Sequence, residues 1–214
     1  MLSAQLQDEL LKRLVGRTQN VDEAQGADQL LFRSFEAWSA IWALHQSQAR
    51  VQGILGRALL EGHAYILVSN LGKLIDKRND QPNSLKNIWH KFCEHTQATS
   101  AEKAKIKKSF EHPESCPDLA GLHSLRNKVF AHNSLTRLTI ESDDVERALY
   151  ICFRSWFLLS ELLTNYPILF PFRSFETENW KLNQILPDAQ FKQFRAAWSK
   201  CQERAKNWQS TPIL

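Results

Sequence analysis

Two stretches of this chain place large side chains at alternating steps of four and three, and that spacing leaves little choice of fold. Leu31, Phe35, Trp38, Trp42 and His45 form the first row; Val145, Leu149, Cys152, Trp156, Leu159 and Leu163 form the second. A helix turns once in about 3.6 residues, so each row falls on one stripe, the seam by which helices pack in a bundle. The two seams are expected to share a core, with His45 closing the first as a packing or capping residue. No strand-like alternation of useful length, internal repeat or low-complexity tract interrupts this pattern. The expected fold is all-α.

The remaining segments read as further helices. Residues 3–16 are amphipathic through Leu6, Leu10, Leu11 and Leu14, with Ser3 as cap, and the polar stretch 18–28 is a connection. Residues 51–76 form a long helix rich in Leu, Ile and Val, in which Gly53, Gly56, Gly62 and Gly72 lower propensity but permit close helix approach. After a loop at 77–83, Ser84 caps a helix through Leu85, Ile88, Trp89 and Phe92. Residues 100–110 form a short basic helix bearing Lys103, Lys105, Lys107 and Lys108. Such a run is either a solvated face or a surface that follows a phosphate backbone. Ser142, with Asp143 and Asp144, opens the helix of the second seam, which Pro167 and Pro171 end. Residues 171–187 look irregular, and Asp188 caps a last helix through Phe191, Phe194, Ala197 and Trp198 to about residue 208.

At 214 residues the chain can bury one substantial core. A net charge of +4 permits a polyanionic partner without requiring one. The four cysteines form no Cys-x-x-Cys pair, as expected for reduced thiols in a cytosol. Neither a signal peptide nor a membrane-spanning run is apparent, so the expected location is cytoplasmic, with no membrane partner.

The most chemical stretch is 121–133. It reads as a short helix with an apolar stripe of Leu122, Leu125 and Val129, carrying Arg126, Asn127 and His132. Ser115 and Asp118 could form a capping box before it, and Asn133 with Ser134 supplies a stop. Residues six apart on a helix point about 120° from each other and lie about 9 Å apart along the axis. Arg126 and His132 of one chain therefore do not make a ready pair on one face. Two copies packed around a two-fold axis could bring both arginines and both histidines into one cleft.

The motif Arg126-Asn127-Lys128-Val129-Phe130-Ala131-His132 resembles the signature of the HEPN superfamily, an arginine and a polar residue followed at short spacing by a histidine. The run Leu-Val-Ser-Asn-Leu-Gly-Lys-Leu-Ile-Asp at 67–76 and Ser-Leu-Lys-Asn-Ile-Trp at 84–89 also resemble its abortive-infection, AbiU-type branch. The resemblance covers roughly residues 25–165. It implies a HEPN-like helical bundle at 25–166; residues 1–24 are read as a helical extension outside the resemblance, and 167–214 as another, packed on the bundle. The resemblance further implies a homodimer with a composite site, acting as a metal-independent endoribonuclease without cofactor. Its setting would be that of a toxin or an abortive-infection, antiphage effector with an antitoxin or other neutralising partner.

The chemistry of the residues suits that expectation. The ribose 2′-hydroxyl attacks the adjacent phosphate, and an imidazole can accept its proton or protonate the leaving oxygen. A guanidinium can clamp the phosphate and offset charge growing on its oxygens. Asn127 would support the geometry, and Lys128 would join the lysines of 100–110 in holding RNA. In HEPN toxins paired with a nucleotidyltransferase antitoxin, a tyrosine often lies two residues after the histidine; Ser134 stands there, which puts tyrosine-based control in doubt.

Two rival readings stand beside it. His90, Cys93, His95, His112 and Cys116 offer possible metal ligands, but their spacing matches no zinc pattern. The other is a catalytically inactive helical dimer serving as a nucleotide-binding or protein-interaction module.

Overall fold

The computed structural model describes residues 2–16, 26–47, 54–75, 82–109, 142–166, 170, 172, 184 and 186–210. Among them the fold is all-α, with no strand. The helices are α1 (Ala4–Leu14), α2 (Ala27–Gln46), α3 (Ile54–Ile75), α4 (Leu85–His95), α5 (Ser100–Ser109), α6 (Ser142–Thr164) and α7 (Asp188–Ser210).

Local chemistry sets several helix ends. The Ser3 hydroxyl accepts the Leu6 N–H at 3.3 Å, and the Ser84 hydroxyl accepts the Asn87 N–H at 3.1 Å, each satisfying a donor that the first turn leaves without a partner. Before α5, the Thr99 N–H donates to the Glu102 carboxylate at 2.7 Å, and the Glu102 N–H donates back to the Thr99 hydroxyl at 3.3 Å. This is a reciprocal capping box, and the bonds from Thr99 hold the Glu102 carboxyl below its usual range. At the start of α7 the Pro187 carbonyl accepts the Phe191 N–H at 2.9 Å, so Pro187 takes the cap position and Asp188, expected there, lies in the first turn. Helix α6 ends at Thr164, ahead of either proline. Asn165 takes a left-handed conformation (φ 59°) while its N–H still donates to the Glu161 carbonyl at 2.8 Å.

Helices α2 and α6 are the two central elements. Helix α2 packs most extensively on α3, then on α7 and α6; α6 also meets α1, α3 and α4. Both seams enter one core: Leu31, Phe35, Trp38, Val145, Leu149, Cys152, Trp156, Leu159 and Leu163 are all buried in it. The first seam is shorter than its spacing implies, since Trp42 is half-buried and His45 is exposed in the last turn of α2. There α2 turns to a second apolar cluster, in which Ala40 and Ala43 pack with Phe194, Ala197 and Trp198 of α7. The Arg204 guanidinium lies 5.7 Å from the Trp42 ring centre. Leu10 and Leu14 of α1 are buried in the main core.

Aromatic rings lock the centre. The Phe153 ring meets Phe35 edge-on at 6.0 Å, and Phe170, beyond the end of α6, returns to within 4.9 Å of Phe153 and 5.4 Å of Trp156. Phe172 reaches Phe35 at 5.3 Å. Buried Arg154 donates to the Trp208 carbonyl at 3.0 Å, satisfying an acceptor near the C-terminal end of α7. Where α1 approaches α2, Gly16 and Gly26 lie backbone to backbone, and a side chain on Gly26 would collide with Gly16. The Asp28 carboxylate pins this approach by accepting the Gly16 N–H at 3.1 Å and the Gln29 N–H at 2.8 Å; burial nonetheless pushes its pKa up. Gly62 differs from the close-approach role expected of it: a methyl there would meet nothing within 4 Å.

Burial pushes the Cys152 and Cys201 thiols up to about 12. A raised thiol pKa means the fold holds the protonated form, so this contribution is complete below the ordinary thiol value. It is lost as pH rises from about 9 towards about 12. We expect native alkylation with iodoacetamide to spare both residues while labelling half-buried Cys93, and urea unfolding to become easier above about pH 9. Mass-spectrometric mapping that finds native Cys152 labelled as readily as Cys93 would contradict this packing.

Candidate functional site

The residues expected to carry chemistry fall in two groups. Arg126, Asn127, Lys128 and His132, with the whole 121–133 stretch, lie outside the described residues. So do His112 and Cys116. The basic helix is present as α5, which packs sparsely on the other described helices. Lys103 is half-buried on it; Lys105, Lys107 and Lys108 fall within its span, and their side chains lie outside the described ones.

The possible metal ligands on α4 are engaged within their own helix. His90 Nε2 lies 3.4 Å from the Glu94 carboxylate, and His95 Nδ1 donates to the Lys91 carbonyl at 3.0 Å. Among the described residues no three His, Cys, Asp or Glu side chains are grouped to hold a metal ion.

The described helices do form a polar cleft, and part of its lining, Ser69, Asn70 and Lys73, falls in the run at 67–76. It has a volume of about 500 Å³ and lies between α2 and α3. Helix α2 contributes Arg33 and Glu36, one turn apart. Helix α3 contributes His63, Ile66, Asn70 and Lys73 at steps of three, four and three, which places them on one stripe. Below this stripe Leu67, Leu71 and Leu74 point into the core and fix the helix in rotation. Gly62 sits one turn before Ile66, where the surface is open.

The polar groups of α3 are held in defined states. His63 Nδ1 contacts the Leu59 carbonyl at 2.7 Å; a carbonyl only accepts, so Nδ1 carries the hydrogen and Nε2 is left for another partner. Asn70 is only 7% exposed. Tyr65 and Ile66, in contrast, are 48% and 42% exposed at the cleft edge. The signal that could have found this site is the polar row at 63, 70 and 73 on a helix rich in Leu, Ile and Val. The α2 residues carry no such signal, because they meet the row only in the folded bundle.

A second cleft of about 450 Å³ lies between α6 and α7 and is lined by Glu146, Arg147, Tyr150, Arg204 and Trp208. Its charges are largely internal: Arg204 bonds both Glu146 oxygens, at 2.9 and 2.7 Å, and Arg147 lies 5.6 Å from the Tyr150 ring centre.

No described helix is long and apolar enough to cross a membrane. Comparison with protein-family models, with curated proteins and with solved structures finds no match to this chain.

Proposed function

We propose that the protein is a metal-independent endoribonuclease of HEPN type, cutting RNA by attack of its own 2′-hydroxyl in a site built from two copies of the chain. The observation that carries this reading is the motif Arg126-Asn127 with His132, six positions after the arginine. An all-α bundle supports it, because a composite site at a two-fold axis needs rigid helices on which to mount the motif. His132 is the acid–base group, Arg126 clamps the scissile phosphate, and Asn127 supports their geometry. The attacking group belongs to the substrate, so the chemistry calls for no metal. Antiphage or toxin action, with a neutralising partner, is the biological setting that the HEPN resemblance suggests.

Product chemistry tests the reading. The 5′ fragment should end in a 2′,3′-cyclic phosphate or its hydrolysis product, and an RNA with deoxyribose at the cleavage position should bind and stay whole. Cleavage of that deoxy-substituted substrate would exclude the mechanism.

The lysines of α5, with Lys128, are proposed to follow the RNA backbone. Replacing Lys103, Lys105, Lys107 and Lys108 together by Gln should weaken RNA binding and flatten its salt dependence. The logarithmic slope should fall by roughly 0.7 for each phosphate of single-stranded RNA that a lysine no longer neutralises. The chemical step on saturating RNA should change little. Unchanged affinity and slope in the quadruple variant would make α5 an ordinary solvated helix.

One observation favours the alternative, a non-catalytic helical interaction module. Leu60 and Ile66 on α3 are 44% and 42% exposed, an uncovered apolar area beside the polar cleft. Absence of RNA cleavage by a folded, dimeric protein would give that reading precedence.

A further inference from the structure

Positive charge on the described helices is concentrated on α5 and α7. Helix α5 sets four lysines against Glu102, and α7 sets Lys192, Arg195, Lys200, Arg204 and Lys206 against Asp188 and Glu203. The other five helices together carry a slight excess of carboxylates. On α7 the rotation of the helix decides where this charge faces. Phe194, Ala197, Trp198, Cys201 and Ala205 are buried and fix that rotation. Lys192, Arg195, Ser199 and Lys206 follow one another at steps of three, four and seven, an exposed row turned away from the core. Lys200 is exposed beside this row. Lys192, Lys200 and Lys206 form no ion pair with a described residue, so the packing of the bundle leaves their charge unused. Arg204 differs, because Glu146 holds its guanidinium.

We propose that this outer face of α7 binds the sugar–phosphate backbone of single-stranded RNA. From Lys192 to Lys206 the row runs about 21 Å along the helix axis. A polyanion meets such a row at several phosphates at once and releases a counterion at each. Ammonium groups on flexible stems suit this contact, because each holds a phosphate as a point charge and reads no base. Ser199 adds a hydroxyl donor within the row. Exposed Glu203 lies on the same helix and repels phosphate; Lys200 and Lys206, three residues to either side, outweigh it. An anionic membrane fits this face less well. It takes large apolar side chains as well as cations, and the exposed residues between these lysines are Gln193, Arg195, Ala196, Ser199, Glu203 and Arg204. The choice of RNA as the polyanion rests on the ribonuclease reading; the row of lysines does not.

The test is fluorescence anisotropy on the full chain with a short single-stranded 2′-O-methyl RNA, which lacks the nucleophile and stays whole. The triple variant Lys192→Gln, Lys200→Gln, Lys206→Gln should bind about 10- to 100-fold more weakly near about 0.1 M salt. Its logarithmic salt slope should fall by about 2, roughly 0.7 for each phosphate released. All three positions are exposed, so its thermal midpoint and circular dichroism should match wild type. A control that removes the same charge elsewhere, Lys12→Gln, Lys73→Gln, Lys86→Gln, should keep the wild-type affinity and slope. Weakened binding in the α7 variant, with a wild type that cuts no RNA, would uphold this face and remove the ribonuclease reading. Cleavage by wild type with an unchanged slope in the α7 variant would do the opposite. The proposal is also overturned if the control loses as much as the α7 variant, or if wild type does not bind the RNA at low salt. Displacement of the RNA by phosphatidylserine vesicles at equal charge concentration would assign the face to a membrane surface instead.

Discussion

Trp156→Ala should lower the unfolding free energy by about 3–5 kcal/mol, a large share of the roughly 5–15 kcal/mol that holds a typical domain together. Trp156 is fully buried at the middle of α6. Its ring meets Phe157 edge-on at 5.2 Å and Phe170 edge-on at 5.4 Å, so truncation opens a space bounded by rigid neighbours that cannot easily collapse into it. The indole also has a polar role. Its Nε1–H donates to the Leu14 carbonyl at 3.2 Å, across the interface with the last residue of α1. That carbonyl has no acceptor role within the helix, and removing the indole leaves it dry and unpaired. Trp156→Phe keeps much of the ring and loses the donor, so its cost should be smaller than that of alanine. Urea unfolding followed by circular dichroism separates the two. An alanine variant within about 0.5 kcal/mol of wild type, the range of ordinary surface substitutions, would place Trp156 outside the core.

The parts of the fold legible in the sequence are those governed by local periodicity and capping. The second seam, from Val145 to Leu163, is buried along its full length, and Ser3 and Ser84 cap the helices they precede. A four-three spacing shows which face of a helix is apolar; how far a neighbour covers that face depends on the neighbour. Hence His45 continues the first row on paper and is exposed in the bundle, while Trp42 is half-buried against both apolar clusters where α2 passes from one to the other. Prolines at 167 and 171 point to a later end for α6 than the one the conformation of Asn165 imposes. Phe170 and Phe172 belong to no periodic stretch, so nothing in their spacing announces that they return to pack on Phe35 and Phe153. The α2/α3 cleft is hidden for a related reason: Arg33 and Lys73 are forty positions apart and share one cleft only through the packing of two helices. The Arg126–His132 motif is the converse case, plain in the sequence and outside the described residues.

Cleavage of RNA by the wild-type protein in excess EDTA, compared with His132→Ala, tests the proposed activity most directly. His132 is assigned the proton transfers at the 2′-hydroxyl and the leaving oxygen, and a positioned acid–base group contributes about 10²–10⁴-fold in rate. Arg126→Lys should be impaired too, since it keeps the charge but loses the planar fork that holds two phosphate oxygens at once. Neither substitution should alter the helical content, because the seams that build the bundle lie at 31–45 and 145–163. The expected result is cleavage by wild type in the chelator and a loss of about 10²–10⁴-fold in His132→Ala with its circular dichroism unchanged. Equal cleavage rates in the two proteins, or wild-type activity abolished by EDTA, would contradict the assignment.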